Sequence, residues 1–181
     1  MKHPLDKFHF CPVCGSTDFV ENNFKSKHCL ACGFTYYANP CSATVAFIRN
    51  SRGELLVARR GKEPAKDTCD LPGGFVDMYE TAEEGLLREI KEETGMEVTA
   101  ATYLFSIPNR YLYSDMTIHT LDMFFEVRVG EEGTNPVAAD DVAELTWMPL
   151  DQVRPDDFGL NSIRQGVIRY LEQNKRGLLF N

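Results

Sequence analysis

The stretch LPGGFVDMYETAEEGLLREIKEETGM, from Leu71 to Met96, decides the interpretation of this chain because of its unusual charge. It contains six glutamates and one aspartate within 26 residues, and only Arg88 and Lys91 carry positive charge there. The exposed face of a helix usually alternates the sign of its charges. So many carboxylates in one loop and one helix either form a solvated acidic face or have a chemical purpose.

Three of the glutamates fall on one face of the expected helix, which runs from about Thr81 to Glu93 and stops at Gly95. Residues three and four positions apart on a helix are neighbours, so Glu89, Glu92 and Glu93 project together. Unpaired carboxylates this close repel one another, whereas a hard divalent cation such as Mg²⁺ or Mn²⁺ binds clustered carboxylate oxygens. The spacing favours a metal site, with a solvated acidic helix as the alternative.

The residues around the acidic helix also favour a metal site. Gly73 and Gly74 allow the backbone to approach the helix closely. Arg88 lies within the acidic run and can hold a neighbouring carboxylate in place, with Glu80 as one candidate partner.

A second group of candidate ligands lies near the N-terminus, in two Cys-x-x-Cys-Gly knuckles. The four cysteines are Cys11, Cys14, Cys29 and Cys32. Fourteen residues separate the two pairs, and four thiolates suit tetrahedral zinc. About 30 residues cannot bury a sufficient core alone, so a metal would supply folding energy. We expect a closed, structural zinc ribbon in residues 1–38, against the alternative of free or disulfide-bonded cysteines.

Composition and charge exclude several classes of protein. The 181 residues carry a net charge of −8 and are 43% hydrophobic, which allows one packed domain beside the small cysteine unit. Residues 1–40 have a net charge of +1 and the remainder −9, which argues against a dedicated nucleic-acid binder. No apolar run reaches the roughly 18 residues that span a bilayer, and the N-terminus lacks an apolar signal region. A cytoplasmic protein without membrane association is expected.

Residues 39–181 form one further domain in this interpretation, with alternating strands and helices. Apolar, β-branched segments predict strands at 43–48, 54–58, 97–106, 118–129 and 143–148. A short helix is expected to open at Asp151 and a final helix at about Ser162. The apolar positions expected to be buried on the two long helices are Leu86, Leu87, Ile90, Ile163, Val167, Tyr170 and Leu171.

The acidic stretch matches a known signature. From Gly74 it follows the pattern G-x5-E-x7-R-E-U-x-E-E-x-G-U, in which U is apolar. The matching residues are Gly74, Glu80, Arg88, Glu89, Ile90, Glu92, Glu93, Gly95 and Met96. The chain resembles the Nudix hydrolases, with every position of the signature present across 23 residues.

The resemblance implies both a fold and a chemistry. The expected fold is α/β, a Nudix α/β/α sandwich with a mixed sheet, preceded by the small N-terminal zinc ribbon. Nudix enzymes cleave a pyrophosphate linkage in a nucleoside diphosphate derivative. Their glutamates that match Glu89, Glu92 and Glu93 bind Mg²⁺ or Mn²⁺, helped by the carbonyl at Gly73. Such metals neutralise the diphosphate and activate a water, and a carboxylate takes its proton.

Further candidate site residues come from the resemblance and from residue type. The family often has another acid ahead of a strand tryptophan, here Trp147, which gives Asp141, with Glu144 as the neighbouring candidate. Either acid could bind metal or act as base, and a surface acid without a role is the alternative. The candidate substrate contacts are Arg59, Arg110, Tyr37, Phe75 and Tyr111. The arginines suit phosphate and the aromatic rings suit stacking, with solvated cations and core aromatics as the alternatives.

The cysteine ribbon indicates which group within the Nudix family the chain resembles. A four-cysteine ribbon followed by Tyr-Tyr-x-x-Pro and a Nudix domain is similar to the NADH pyrophosphatases, over about residues 8–175. The element Ser106–Tyr111 keeps a serine and a proline of their specificity motif but displaces its aromatic residue, and Cys69 stands where many relatives have tryptophan.

These features give one expected function and two alternatives. The expected substrate is a dinucleotide or ADP-ribose type of nucleotide, such as NADH, NAD or ADP-ribose. Removal of an NAD cap from RNA is one alternative. A nucleic-acid or protein binding module, with the ribbon as reader on a Nudix platform, is the other. The resemblance also makes a homodimer an expectation.

Overall fold

A computed structural model describes residues 2–113, 115–130 and 142–178 of the chain. The candidate acid Asp141 therefore lies outside the described residues. The contacts divide the chain into two compact units, one with Met1–Cys41 and Arg110–His119, the other with Ser42–Asn109 and Thr120–Asn181. The domain division at residue 38 stays a prediction. None of the helices in the described ranges is long and apolar enough to cross a membrane.

The first unit contains a three-stranded antiparallel sheet in the order β1-β2-β3. These strands are β1 Phe19–Asn23, β2 Ser26–Cys29 and β3 Thr35–Tyr37. Its buried cluster consists of Cys11, Phe19 and Cys29, with Phe8 and Phe34 packed against it. A core of this size is too small to stabilise a fold alone, so we expect the first unit to need another source of stability.

The described residues from β4 onward form six strands and two long helices, and the residues of β7 and β8 between Arg110 and His119 are grouped with the first unit. The strands are β4 Cys41–Ile48, β5 Leu55–Arg60, β6 Cys69–Asp70, β7 Val98–Tyr113, β8 Met116–Val129 and β9 Val142–Met148. The helices are α1 Ala82–Thr94 and α2 Asn161–Lys175. Strand order is β4-β8-β7 in one sheet and β6-β5-β9 in the other. Strand β5 pairs antiparallel with both neighbours, and Cys69 makes a parallel bridge to Phe158.

The five predicted strands and both long helices are confirmed, with two corrections. The helix expected at Asp151 is wrong, because the chain turns there and forms a short 3₁₀ helix at Pro155–Asp157. Leu87 of α1 was expected to be buried but is exposed. Strand β6 was missed because two residues are too few to show an alternating pattern.

Alternating side chains of β4 divide the core into two layers, one on each face of the sheets. Val45 and Phe47 belong to the cluster that contains Ile163, Val167 and Tyr170 of α2. Ala46 and Ile48 belong to the cluster that contains Leu86 and Ile90 of α1. The Phe47 and Tyr170 rings stack with centroids 3.9 Å apart. The fold is an α/β/α sandwich, as the resemblance implies.

Gly166 of α2 provides a test of this packing. A Cβ atom added at Gly166 would lie 2.3 Å from Phe124 Cε1, and Phe124 is itself fully buried between Phe47 and Phe105. Replacing a helix glycine by alanine usually stabilises by up to about 1 kcal/mol. We expect Gly166→Ala instead to lose about 1–3 kcal/mol in urea denaturation, because the methyl group overpacks the core. The neighbouring exposed Gln165→Ala is the control, and equal stability of the two variants would contradict the contact.

Candidate functional site

The loop that precedes α1 is fastened to strand β4 by three backbone hydrogen bonds. The N–H groups of Thr44, Ala46 and Val76 donate to the carbonyls of Gly74 (2.8 Å), Pro72 (2.8 Å) and Ser42 (3.0 Å), respectively. Residues 71–76 thereby run as an irregular strand beside β4, and the rigid sheet fixes the position of the loop.

Two glycines allow this close approach. Gly73 has φ 139°, and a Cβ atom there would lie 2.2 Å from the Thr44 carbonyl oxygen. A Cβ atom at Gly74 would lie 2.6 Å from the carboxylate of Glu89. A side chain at either position would collide with backbone or with a candidate ligand, so the glycines bring loop and helix into contact.

Helix α1 starts and stops at defined residues, which places the acids in its last two turns. Thr81 forms a capping box with Glu84, and Gly95 ends the helix in the left-handed conformation, both strong sequence signals. Just before the cap, Tyr79 adopts φ 74° and its side chain is fully exposed. Three acids near the C-terminal end of a helix oppose its dipole, so they require compensation.

Arg88 supplies that compensation and joins the acids to the loop. Its Nε and Nη2 donate to the two oxygens of Glu80 at 2.8 and 3.0 Å. Its Nη1 donates to Glu89 at 2.9 Å and to Glu92 at 3.1 Å. Its Nη2 also donates to the Phe75 carbonyl at 3.0 Å. The expected partnership with Glu80 is present, and one guanidinium also holds two candidate metal ligands.

Glu93 is held separately, by the loop backbone. The Gly73 N–H donates to Glu93 Oε2 at 2.9 Å. The three glutamates share a helix face, but they differ in exposure: the Glu89 side chain is 15% exposed and that of Glu92 is 52% exposed. In the described part of the chain, their oxygens do not all come within 4.8 Å of one another. Arg88 holds Glu89 and Glu92, and the Gly73 N–H holds Glu93.

The remaining predicted site residues lie in several places. Arg59 and Glu144 are opposite each other on β5 and β9, with Nε and Oε2 3.6 Å apart. Glu144 thus has a cross-strand partner and is exposed. Phe75 is half-exposed and pairs with Ala43 of β4 in an isolated bridge. The candidates in the first unit are Tyr37, Arg110 and Tyr111. As substrate contacts, all five candidates stay predictions.

Sequence reasoning missed two polar features beside the loop. Arg60 and Asp70 form an ion pair of low exposure, and Asp70 Oδ1 accepts from the N–H of Leu71, where the loop begins. Burial raises the pKa of Asp70 despite the nearby guanidinium. Thr44 places a hydroxyl group in the buried part of β4. No sequence signal marks either feature, since isolated charged residues are mostly exposed and threonine is a common strand former.

The four cysteines of the knuckles come together as expected and carry no disulfide. All four sulfur atoms lie within 4.8 Å of one another, with Cys11 Sγ to Cys32 Sγ at 3.7 Å and Cys14 Sγ to Cys29 Sγ at 3.6 Å. A tetrahedron with Zn–S bonds of about 2.3 Å has S···S edges of about 3.8 Å. The sulfur atoms therefore fit a tetrahedral zinc ion.

The hydrogen bonds from Arg88 lower the pKa of Glu80 below its ordinary value of 4.5. A depressed folded-state pKa stabilises the fold above the unfolded-state pKa, and that contribution disappears as the pH falls through the folded-state pKa. We expect Glu80→Gln to lower Tm at pH 7, with a difference from the wild type that narrows as the pH drops below 4.5. Thermal unfolding at several pH values measures this. Glu83→Gln, on the exposed side of α1, is the control, and a pH-independent difference for Glu80→Gln would refute the ion pair.

Comparisons with known proteins agree with this architecture. The NUDIX domain family matches residues 39–171. The chain is 27% identical to the NAD-capped RNA hydrolase NudC of Vibrio vulnificus (strain CMCP6), over 84% of this chain and 55% of that protein. It is 32% identical to the ADP-ribose pyrophosphatase of Methanocaldococcus jannaschii, over 76% of this chain and 78% of that protein.

A solved structure supports the same fold. The NUDIX hydrolase from Nitrosomonas europaea superimposes with a TM-score of 0.71 at 19% identity, covering 93% of each chain. The present chain spans just over half the length of the NudC relative. The family match covers well over half of the chain and contains the loop, α1 and all three glutamates. The chain therefore belongs to the Nudix family, with its NUDIX domain at residues 39–171.

Proposed function

We propose that this protein is a divalent-metal-dependent pyrophosphatase that hydrolyses the P–O–P linkage of a nucleoside diphosphate derivative. The observation that carries the proposal is the arrangement of Glu89, Glu92 and Glu93. They share one face of α1 and are held by Arg88 and by the Gly73 N–H. Carboxylates fixed in this way can bind a hard cation that competes with the Arg88 guanidinium for their oxygens.

The residues fit Mg²⁺ or Mn²⁺ in their donor chemistry. Glu89, Glu92 and Glu93 would supply carboxylate oxygens, with the Gly73 carbonyl as a further oxygen ligand. Gly74 leaves the space that the Glu89 carboxylate fills. A bound divalent ion supplies charge neutralisation for the diphosphate and lowers the pKa of a water. We also propose that Asp141 or Glu144 serves as the base or as a further metal ligand.

The names of the relatives support the substrate class. One is named for ADP-ribose and the other for NAD-capped RNA, and both substrates join an adenosine diphosphate unit to a second group. We propose a free dinucleotide or ADP-ribose as the substrate. Removal of an NAD cap from RNA is the second candidate, because the NudC relative is similar over 84% of this chain.

A substrate panel tests the proposal directly. NADH, NAD, ADP-ribose, dinucleoside polyphosphates, nucleotide sugars and NAD-capped RNA are each incubated with the protein and Mg²⁺ or Mn²⁺, and the products are identified by mass. We expect nucleoside monophosphate products, with turnover that disappears when the metal is chelated. No cleavage of any diphosphate would refute the proposed function, and preferred cleavage of capped RNA would select the second candidate.

The role of Glu93 can be tested with Glu93→Gln and a matched control variant on the same helix. The amide oxygen of Glu93→Gln can still accept from the Gly73 N–H, so the fold should be retained, but a carboxylate ligand is lost. We expect turnover to fall by at least about 10²-fold, the lower range for the loss of a catalytic carboxylate. Glu83→Gln removes an exposed acid from the first turn of the same helix and should leave turnover unchanged. Full activity of Glu93→Gln on the best substrate would reject its role.

We also propose that Cys11, Cys14, Cys29 and Cys32 bind one structural zinc ion. The ion would provide the stability that the small core of the first unit lacks. The expected homodimer and the cytoplasmic location stay predictions.

If the four cysteines bind zinc, the purified protein should contain zinc in a fixed ratio to the chain. Elemental analysis should find one zinc per chain, and Cys14→Ser should reduce that content and lower Tm. Cys41→Ser, which changes an exposed cysteine outside the cluster, should retain the metal. The proposed site would be contradicted if removing zinc from the wild type with a chelator left its melting curve unchanged.

A further inference from the structure

The hydroxyl group of Thr44 is buried and unpartnered beside the acidic helix. Thr44 is only 1% exposed. Among the residues that the structure describes, nothing forms a hydrogen bond with its Oγ1. A buried hydroxyl without a partner destabilises a fold. Valine has nearly the same shape and suits a buried strand better, so the hydroxyl at this position needs a reason.

The position of Thr44 in β4 determines which way its side chain points. Alternate residues of a strand project to the same side, so Thr44 shares a side with Ala46 and Ile48. Those two residues pack in the cluster that contains Leu86 and Ile90 of α1. The Thr44 hydroxyl is therefore on the α1 side of the sheet.

The backbone of Thr44 connects it to the candidate metal ligands. Its N–H donates to the Gly74 carbonyl at 2.8 Å, and its own carbonyl lies against Gly73. Gly74 adjoins the carboxylate of Glu89, and the Gly73 N–H holds Glu93. The unpartnered oxygen thus lies on the strand that positions both glycines, on the α1 side of the sheet.

We propose that Thr44 is a positioning residue for the divalent cation, and that its Oγ1 accepts a hydrogen bond from a water of the hydration shell of that ion. The inference rests on the proposed function. Mg²⁺ sites usually retain several waters, and metal-bound waters are strong hydrogen-bond donors. Outer-shell partners of this kind orient the ligands, and losing one typically weakens metal binding by 10–100-fold. Thr44 thereby contributes to metal affinity without touching the ion.

Thr44→Val removes the hydroxyl and keeps the shape of the side chain. Its effects on the metal-free protein and on metal binding can therefore be measured separately. Without metal, the variant should melt at the same temperature as the wild type or a few degrees higher, because an unpartnered polar atom is gone. With metal, it should bind Mn²⁺ about tenfold more weakly, which corresponds to about 1.4 kcal/mol. Free Mn²⁺ is measured by electron paramagnetic resonance during titration of the full chain without substrate.

Two further variants make the test specific. Thr44→Ser keeps the hydroxyl and loses only the methyl group, so its Mn²⁺ affinity should remain within about twofold of the wild type. Thr99→Val removes the hydroxyl of an exposed strand threonine, which donates to the Arg128 carbonyl, and should leave Mn²⁺ binding unchanged. Weak Mn²⁺ binding by Thr44→Ser would overturn the inference, because packing of the methyl group would then explain the loss.

The outcome for Thr44→Val also distinguishes this inference from the proposed function. Wild-type Mn²⁺ affinity of Thr44→Val would overturn the inference whatever the Tm, and a lower Tm in the metal-free state would then show that the hydroxyl serves the fold alone. The proposed function would survive that result as long as Glu93→Gln loses Mn²⁺ binding and turnover. If the wild type binds no Mn²⁺, the proposed function fails, and the role of Thr44 fails with it.

Discussion

The guanidinium of Arg88 is the interaction on which the site depends. It neutralises part of a carboxylate cluster that the helix dipole disfavours, and it ties the loop before the helix to the acids on the helix. A lysine ammonium could not replace it, since one planar group here donates hydrogen bonds to three carboxylates and a backbone carbonyl. The same contacts hold Glu89 and Glu92, two of the proposed metal ligands, against the loop.

Some residues of helix α1 stabilise it, whereas the three acids of the candidate site destabilise it. The capping box and the left-handed end at Gly95 stabilise helix α1, whereas Glu89, Glu92 and Glu93 weaken it through mutual repulsion and the unfavourable end of the dipole. Replacing those acids would favour the helix and remove the proposed metal ligands. Conflicts between local preference and retained residues of this kind are expected at functional sites.

The sequence predicts the long elements well because their signals are local. The capping residues and Gly95 determine α1, the 3–4 residue spacing determines which acids share a face, and paired knuckles identify the cysteine site. The sequence could not show which groups hold the carboxylates, because the contacts with Arg88 and with the Gly73 N–H depend on how the loop packs against the helix. The buried Arg60–Asp70 pair and the Thr44 hydroxyl were missed because tertiary packing alone gives them meaning. The short strands of the first unit have no alternating pattern to detect.

The exposed corner at Tyr79 has a practical use. The side chain contacts solvent alone, its backbone is already in an unfavourable left-handed conformation, and the next residue is Glu80, which Arg88 holds. A spectroscopic label attached at this position would fill no space in the core and would remove no partner of the guanidinium. It would lie one peptide bond from the Glu80–Arg88 ion pair, so its signal could report in real time whether the loop moves when the proposed substrate is added.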